Sequence, residues 1–288
     1  MNNYYDNKNK LREIFEDTQE WYITNNTLKD SVKYSKENTI IYNEDNYPDI
    51  SNKQIRNKTI VEVTKNRSFQ QATIEYKNDS NKKICVLNFA SATNPGGGVK
   101  KGSSAQEEAL CRCSTLYPAL DQYECHKNFY TYNKNLKDVL HNDRIIYSPD
   151  ILIIKSDERF PKRLDEKDFI KVDIINCSAP NLRDNRNSYA DSDTGGVVKI
   201  SEKKLYELHV SRAKHILHIA VYNNIDVLIL GAFGAGAFKN DPRVVANAYN
   251  DVLEDYYKYF DKIVFAVYCN QYDLYNYDSF NNIIVKRR

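Results

Sequence analysis

The sequence predicts an α/β domain in which helices cover both faces of a central sheet. Short, nearly continuous apolar runs such as KKICVLNFA (82–90) are typical of strands that are buried on both faces. Helical patterns alternate with these runs along the chain. Two glycine-rich loops, GGG (96–98) and GAFGAG (231–236), follow buried strands, at the strand ends where ligands bind in such folds.

Composition and charge narrow the class of protein. Of the 288 residues, 41% are hydrophobic and 28% are charged, which is typical of a folded globular protein. A formal net charge of +2 gives no global basic field, so we do not expect binding to duplex nucleic acid. No apolar run approaches the roughly 18 to 20 residues of a membrane helix, and the N-terminus lacks the apolar segment of a signal peptide. We therefore expect no membrane partner and a cytoplasmic location.

The front section, residues 1–57, is predicted to be an N-terminal extension packed on the main domain, residues 58–288. Apolar residues recur at nearly helical spacing over 10–24, which predicts an amphipathic helix. Residues 25–57 are polar, and we expect them to be irregular.

The first part of the main domain is predicted to contain three strands and two helices. The segments 58–65 and 71–77 alternate partly between apolar and polar residues, and 82–90 is the buried run described above. Helices are predicted from about 105 to 116 and from about 129 to 139.

A further pair of strand regions and a long loop come next. Residues 144–155 predict two strand pieces broken at Pro149, and 172–180 predicts another buried strand. The polar loop 181–196 has the length of the functional lids or mobile loops of compact domains. A long, well-buried helix is predicted over 201–223.

The last part of the chain repeats the strand–helix–strand pattern. Residues 225–233 predict a buried strand, and Asp241 and Pro242 are typical of an N-cap and a first helical position. The helix is expected to reach about residue 260, and 262–269 predicts the last strand.

The loop GAFGAGAFKNDP (231–242) is a candidate phosphate site. Three glycines between a buried strand and a capped helix allow backbone N–H groups to converge on an anion beside a helix N-terminus. A tight structural turn explains the same glycines, and the spacing does not match a Walker A loop. Phe233 and Phe238 flank the loop and either contact a ligand or belong to the core.

Two adjacent carboxylates, Glu107 and Glu108, follow the first glycine run and suggest chemistry on a ligand that the loop holds. Mutual repulsion and loss of hydration raise carboxyl pKa values toward the range of a general acid. A helix N-terminus has the opposite effect, because it favours the anion. Ser104 and Glu107 also form the pattern of a capping box, which explains Glu107 but not Glu108.

The cysteines invite a metal site at Cys111-x-Cys113 and Cys125-His126. Their spacing matches no zinc pattern, and small buried cysteines are common in cores. Six cysteines in a chain of this length also do not resemble a disulfide framework, which favours a reducing compartment. We expect no bound metal.

The motif GGG (96–98), seven residues, then Gln106-Glu107-Glu108 resembles the signature of microbial-type poly(ADP-ribose) glycohydrolases, members of the macrodomain superfamily. NFASATNPGGG (88–98), SAPN (178–181) and the loop 231–242 also resemble that family. The resemblance covers roughly residues 60–270, and the front helix is similar to an extension that such members carry. It implies a three-layer α/β/α macrodomain with a mixed central sheet, which binds ADP-ribose without a metal or another cofactor.

The resemblance also implies roles for the acidic motif. Glu108 would be the catalytic acid and base, which protonates the leaving 2′-oxygen of the ribose–ribose bond and then deprotonates the attacking water. Glu107 would hold the adjacent ribose hydroxyls, with Gln106 supporting the pair. One carboxylate acting first as acid and then as base suits two neighbouring side chains on one helix, because they cannot straddle a sugar as an ordinary glycosidase pair does.

The remaining site residues are likewise implied by the resemblance. The glycines 96–98 would let the backbone approach the ribose and phosphates, while the N–H groups of loop 234–237 would bind the diphosphate. Phe238 would pack over the ribose or adenine end, and Asn88 would lie beside the ribose. The implied ligand-binding set is Asn88, Gly96, Gly97, Gly98, Val99, Gln106, Gly234, Ala235, Gly236, Ala237 and Phe238.

Three functions compete on these residues. The first is a poly(ADP-ribose) glycohydrolase that releases ADP-ribose mainly from the free end. The second is a mono-ADP-ribosyl hydrolase acting on protein or nucleic acid, and the third is a module that binds ADP-ribose without cleaving it. The intact pair of acids argues against the third, and loop 181–196 with the front extension is expected to separate the first two. We expect a monomer whose partner is ADP-ribose or poly(ADP-ribose), free or attached to protein.

Overall fold

A seven-stranded mixed sheet organises the computed structural model, which describes residues 2–183 and 198–286. The strands are β1 (Ile40–Tyr42), β2 (Ile60–Thr64), β3 (Ile84–Phe89), β4 (Ile145–Ile153), β5 (Ile170–Cys177), β6 (Val227–Leu230) and β7 (Lys262–Ala266). Their spatial order is β1-β4-β5-β3-β6-β7-β2. The strands from β5 to β2 are parallel, whereas β4 pairs antiparallel with β5 and β1 antiparallel with β4. Five strands therefore present their carboxyl ends at one edge of the sheet.

Helices cover both faces of this sheet, which confirms the predicted fold class. They are α1 (Asn2–Thr24), α2 (Asn26–Asn38), α3 (Ser68–Asn78), α4 (Gln106–Cys113), α5 (Leu116–Leu120), α6 (Tyr123–Cys125), α7 (Thr131–Leu136), α8 (Glu202–Tyr222), α9 (Pro242–Tyr256) and α10 (Tyr275–Ile283). None of the described helices is both long and apolar enough to span a membrane.

Strand β3 shows how the two faces divide the core. Cys85 and Leu87 belong to the cluster that includes the buried residues of α8, α9 and α10. Ile84 and Val86 belong to the opposite cluster, with side chains from α1, α3 and α4. Because successive side chains of a strand point to opposite faces, a continuous apolar run is what a strand between two helical layers requires.

The front section is more regular than we predicted. Helix α1 spans the predicted 10–24 and begins earlier, but 25–57 is not irregular throughout, since it contains α2 and β1. Strand β1 pairs with β4, with Ile41 opposite Ile146, and so adds an edge to the main sheet. The division of the chain at residues 57 and 58 stays a prediction.

The predicted strand 71–77 is wrong, because this segment lies in helix α3. Alternation of Ala72, Ile74 and Tyr76 suggested a strand, yet Ile74 is 42% exposed. The buried apolar residues of this helix are instead Phe69 and Ala72, three apart, as on one face of a helix. A short apolar alternation fits both periods, and the helical contacts decided between them.

Smaller differences affect three other segments. The helix predicted over 129–139 is divided into a π-helical turn, His126–Tyr130, and α7, which ends where Lys137 adopts a φ of +53°. Pro149 does not separate two strands but lies at a register shift within β4. Helix α10 was not predicted, and residues 184–196 of the loop 181–196 lie outside the described residues.

Candidate active site

A cleft of about 930 Å³ lies at the edge where the parallel strands end, and both glycine-rich loops border it. We call 94–102 the first glycine loop and 231–240 the second glycine loop. The volume lies within the range of small-molecule sites. Of the predicted site residues, the following line the cleft: Gly97, Gly98, Gln106, Glu107, Glu108, Gly234, Gly236, Ala237 and Phe238.

Helix α4 carries the two acids into the cleft at its first turn. Its N-cap is Ala105, so the capping-box explanation of Glu107 is wrong. The Glu107 carboxylate instead accepts hydrogen bonds from the Ser91 backbone N–H at 2.7 Å and from Asn88 Nδ2 at 3.5 Å. The end of β3 and the residues after it thus fix Glu107 in place.

The surroundings of Glu107 favour its protonated form. Burial raises the pKa of this carboxyl well above its usual range, and the neighbouring Glu108 raises it further. Hydrogen bonds from Ser91 and Asn88 act in the opposite direction without cancelling the effect. The acidic pair therefore retains a proton at a pH where an exposed glutamate has lost it.

Glu108 is held by the first glycine loop. Its Oε1 accepts a hydrogen bond from the backbone N–H of Gly98 at 2.9 Å. Gly97 crosses directly over the pair with a φ of +56°, and a Cβ at this residue would lie 2.7 Å from Glu108 Oε1 and 2.9 Å from Glu107 Oε2. Only glycine permits this approach, since it has no Cβ and adopts positive φ readily.

Gln106 positions the helix that carries the acids. Its Nε2 donates to Leu87 O at 2.8 Å and to Ser68 Oγ at 3.0 Å, while its Oε1 accepts from Phe89 N at 2.9 Å. The side chain thereby joins the first turn of α4 to β3 and to the start of α3. This placement agrees with a supporting role beside the acids.

The second glycine loop offers backbone donors to the cleft. Within the described part of the chain, the N–H groups of Gly236 and Ala237 donate to no acceptor, whereas the Ala235 N–H already donates to Ala232 O at 3.1 Å. A Cβ on Gly236 would meet no atom of the described residues within 4 Å. The loop leads into α9, where Asp241 accepts from Arg243 N as the N-cap and Pro242 is the first residue, as predicted.

The two phenylalanines of this loop have different environments. Phe233 is fully buried against Phe89, with ring centroids 5.7 Å apart, so it belongs to the core. Phe238 lines the cleft, where the Arg183 guanidinium lies 5.6 Å from its ring centroid and the His141 ring 6.0 Å. The ligand-facing alternative therefore applies to Phe238 alone.

Four of the predicted ligand-binding residues do not line the cleft: Asn88, Gly96, Val99 and Ala235. Asn88 and Val99 are fully buried. Asn88 donates to Asn176 Oδ1 at 2.9 Å and faces Glu107, so its position allows an effect on a ligand through that acid.

Several cleft residues escaped the sequence analysis. Arg112 is 2% exposed, and its Nη1 donates to Ser103 O at 2.6 Å. Its position one helical turn after Glu108 was the available signal. The others, including Asn7, Lys8 and Leu11 of α1, come from distant parts of the chain, and no local pattern marks them.

The cysteines that suggested a metal site, Cys111, Cys113 and Cys125, are buried in the core. Cys111 and Cys113 are fully buried, and burial raises the pKa of both thiols. All six cysteines are free thiols. No group of three or more potential metal ligands occurs among the described residues.

We compared the chain with protein families, with curated protein sequences and with solved structures. Residues 14–156 match the family model described as the microbial-type PARG catalytic domain, PARG being poly(ADP-ribose) glycohydrolase. No curated protein sequence matches the chain.

Solved structures resemble the chain over most of its length. Poly(ADP-ribose) glycohydrolase from Thermomonospora curvata is 26% identical, with a TM-score of 0.80, over 94% of this chain and 98% of that chain. The same enzyme bound to the inhibitor ADP-HPD is 27% identical, with a TM-score of 0.78 and the same coverage. The Deinococcus radiodurans enzyme in complex with ADP-ribose is 29% identical, with a TM-score of 0.73, over 87% of this chain and 95% of that chain.

Proposed function

We propose that this chain, which belongs to the microbial-type PARG family through residues 14–156, hydrolyses the ribose–ribose O-glycosidic bonds of poly(ADP-ribose) and releases ADP-ribose. The observation that carries the proposal is the placement of Glu108 on the wall of the cleft, where the Gly98 N–H holds its carboxylate. The similar structures from T. curvata and D. radiodurans contain ADP-HPD and ADP-ribose, respectively.

In the proposed reaction Glu108 is the general acid and then the general base. It gives a proton to the leaving 2′-oxygen as the bond between that oxygen and the anomeric carbon breaks. Positive charge develops on the sugar, and water then adds to the anomeric carbon while its proton passes to Glu108. The carboxyl is thereby restored to the protonated form in which it began.

Glu107 is proposed to bind ribose hydroxyls rather than to transfer the proton. It is 4% exposed against 8% for Glu108, and Ser91 and Asn88 fix its carboxylate. A carboxyl held in this way presents a constant geometry to a sugar. Gln106 supports both acids through its bonds to β3 and α3.

The second glycine loop is proposed to bind the diphosphate of ADP-ribose. Its support comes from the Gly236 and Ala237 N–H groups and from the N-terminus of α9, which favours negative charge. Phe238 is proposed to pack over the ribose or adenine end of the ligand, where it borders the cleft.

Other parts of the assignment are also proposals. We propose that the domain is a macrodomain, that the chain acts as a cytoplasmic monomer, and that its substrate is free or attached to protein. Free thiols at all six cysteines suit a reducing compartment. Sedimentation of the purified protein tests the monomer, because a stable dimer would sediment at twice the mass. Fractionation of the native cell tests the location, and recovery in the membrane fraction would overturn it.

The test of the function is incubation of the purified chain with poly(ADP-ribose), followed by chromatography of the products. We expect free ADP-ribose from the earliest times, because we propose cleavage mainly from the free end. Early accumulation of oligomers would instead show internal cleavage. Release of ADP-ribose only from mono-ADP-ribosylated protein, with intact polymer, would overturn the assignment to poly(ADP-ribose).

A further inference from the structure

One buried side chain, Asn240, holds the second glycine loop from behind. Asn240 is 2% exposed. Its Nδ2 donates to Pro180 O at 2.7 Å, to Gly234 O at 3.1 Å and to Phe238 O at 3.2 Å. Two of these carbonyls belong to the loop itself, and the third belongs to the segment after β5. The amide therefore fastens the loop, which follows β6, to the segment that follows β5 on the far side of β3.

His209 of α8 determines which way the Asn240 amide points. Since Nδ2 faces three carbonyl oxygens, Oδ1 faces the opposite side, where His209 Nε2 lies 2.8 Å away. An amide oxygen only accepts, so Nε2 of the imidazole carries the proton. His209 is fully buried, and burial lowers its pKa to about 3, which keeps the ring neutral at neutral pH.

We propose that Asn240, oriented by His209, is a positioning residue for ligand binding at the second glycine loop. It holds the loop in the shape that points the N–H groups of Gly236 and Ala237 into the cleft. A donor array that is ordered before the ligand arrives costs little ordering on binding. The inference rests on the proposed function, in which the anion at these donors is the diphosphate of ADP-ribose.

The shape of the loop distinguishes this role from ordinary core packing. Gly234 has a φ of +77°, and a Cβ there would lie 2.6 Å from Ala179 Cβ and 2.9 Å from Asn240 Nδ2. The backbone thus passes closely between the Ala179 methyl group and the Asn240 amide, and the amide adds hydrogen bonds to this packing. A side chain that only filled space would not need donors to three carbonyls from different parts of the chain.

The first experiment compares Asn240→Ala with wild type in two measurements. Hydrogen exchange of the 231–240 amides is expected to become faster, and calorimetry is expected to show about tenfold weaker ADP-ribose binding. In turnover of poly(ADP-ribose), KM should rise by about the same factor while kcat stays within about twofold. Unchanged exchange and affinity in a folded variant would overturn the proposal.

Asn133→Ala is the matched control. Asn133 is also buried, at 4% exposure, and its Nδ2 donates to Phe129 O at 2.9 Å, but it does not line the cleft. We expect a similar loss of stability, with exchange at 231–240 and ADP-ribose affinity as in wild type. Equal losses of affinity in both variants would mean that Asn240 contributes only to general stability.

A pair of His209 variants tests the orientation of the amide, and it keeps the proposal testable if Asn240→Ala does not fold. His209→Leu removes the donor to Asn240 Oδ1, so we expect faster exchange of the loop and weaker binding. His209→Gln restores an N–H donor, so both effects should be largely reversed. Equal behaviour of the two variants would refute the role of His209. Failure of wild type to bind ADP-ribose would refute the proposed function, whereas the exchange data would still decide whether Asn240 orders the loop.

Discussion

The two glycine loops border one cleft, but their glycines satisfy different needs. In the first loop, a Cβ on Gly97 would collide with the carboxylates of both Glu107 and Glu108. In the second loop, a Cβ on Gly236 would come within 4 Å of no atom of residues 2–183 and 198–286. The packing of the protein itself requires glycine at Gly97, as it does at Gly234 of the second loop, whereas the glycine at Gly236 leaves room at the cleft. The same residue type therefore supports the two buried acids at Gly97 and borders the proposed ligand surface at Gly236.

The backbone N–H groups of the two loops also differ in whether the protein supplies an acceptor for them. In the first loop the Gly97 N–H donates to Asn94 O, and the Gly98 N–H donates to Glu108. In the second loop the N–H groups of Gly236 and Ala237 have no acceptor among the described residues. The first loop thus uses its donors to hold the acids, and the second keeps donors available for an anion. Variants in the first loop should therefore lower turnover, and variants in the second loop should weaken ligand binding.

The largest effect is expected from Glu108→Gln, which removes the proton donor on the side of the first loop. Turnover of poly(ADP-ribose) should fall by about 10²–10⁴-fold, because a glutamine cannot serve as general acid or base. ADP-ribose affinity by calorimetry should stay within a few fold, since the second loop is untouched.

The control for the loss of charge is Glu124→Gln, at an exposed residue that does not line the cleft. We expect wild-type turnover from it. Wild-type turnover from Glu108→Gln itself would remove Glu108 from the catalytic role.

Gly97→Ala should damage the catalytic side without touching the ligand loop. The new methyl group forces both carboxylates to move, and alanine is strained at a φ of +56°. We expect kcat to fall by about 10²-fold and the free energy of unfolding in urea to fall by about 1–3 kcal/mol. Gly236→Ala adds a methyl group that meets no atom of the described part of the chain, so it should leave the free energy of unfolding within about 0.5 kcal/mol of wild type. Equal destabilisation by the two substitutions would contradict the contrast between the loops.

Gly236→Val tests the binding side. The added side chain starts at a backbone atom that lines the cleft and has no described atom close to its Cβ, so we expect a stable fold but about tenfold or greater loss of ADP-ribose affinity and a raised KM. A variant that binds ADP-ribose as tightly as wild type would remove the second loop from the ligand site.

The sequence was sufficient for the fold class because burial on both faces leaves a local pattern. The runs 84–87 and 227–230 are apolar without interruption, and each lies in a central strand. Helix α3 was assigned wrongly because 71–77 is short and fits two periods. Strand β1, with three residues, is stabilised by pairing with β4, a contact across about a hundred residues that no local pattern records.

The site could be predicted as far as its residues lie within the two loop motifs. Glu108, Gly97 and Gly236 line the cleft as expected. Ser91 holds Glu107 through its backbone N–H, which any residue type except proline could provide, so the sequence carries no signal for it. His209 and Asn240 are 31 residues apart, and their contact follows from the packing of α8 behind the second loop.

The smallest expected effect is on the pH dependence of the free energy of unfolding. It has opposite signs for Glu107, which contacts the first loop, and for Asp241, which directly follows the second loop. The folded-state pKa of Glu107 is raised by burial, so the folded protein binds more protons than the unfolded chain as the pH rises above the ordinary value of 4.5. The free energy of unfolding should therefore decline from about pH 4.5 upward, and Glu107→Gln should remove part of that decline.

At the second loop, the bond from Arg243 lowers the pKa of the Asp241 carboxyl below its ordinary value of 3.8. Asp241 then stabilises the fold above that pH and loses this contribution as the pH falls further. Asp241→Asn keeps an N-cap side chain, so its effect should be confined to the loss of this acid-sensitive contribution. Urea unfolding of wild type and of both variants across about pH 3 to 8 measures these effects. The change in the free energy of unfolding caused by Glu107→Gln should vary with pH above 4.5, whereas the change caused by Asp241→Asn should vary below 3.8 and in the opposite direction. If the free energy of unfolding of Glu107→Gln changes with pH as it does in wild type above pH 4.5, then ionising Glu107 in the folded protein costs no more than ionising an exposed glutamate.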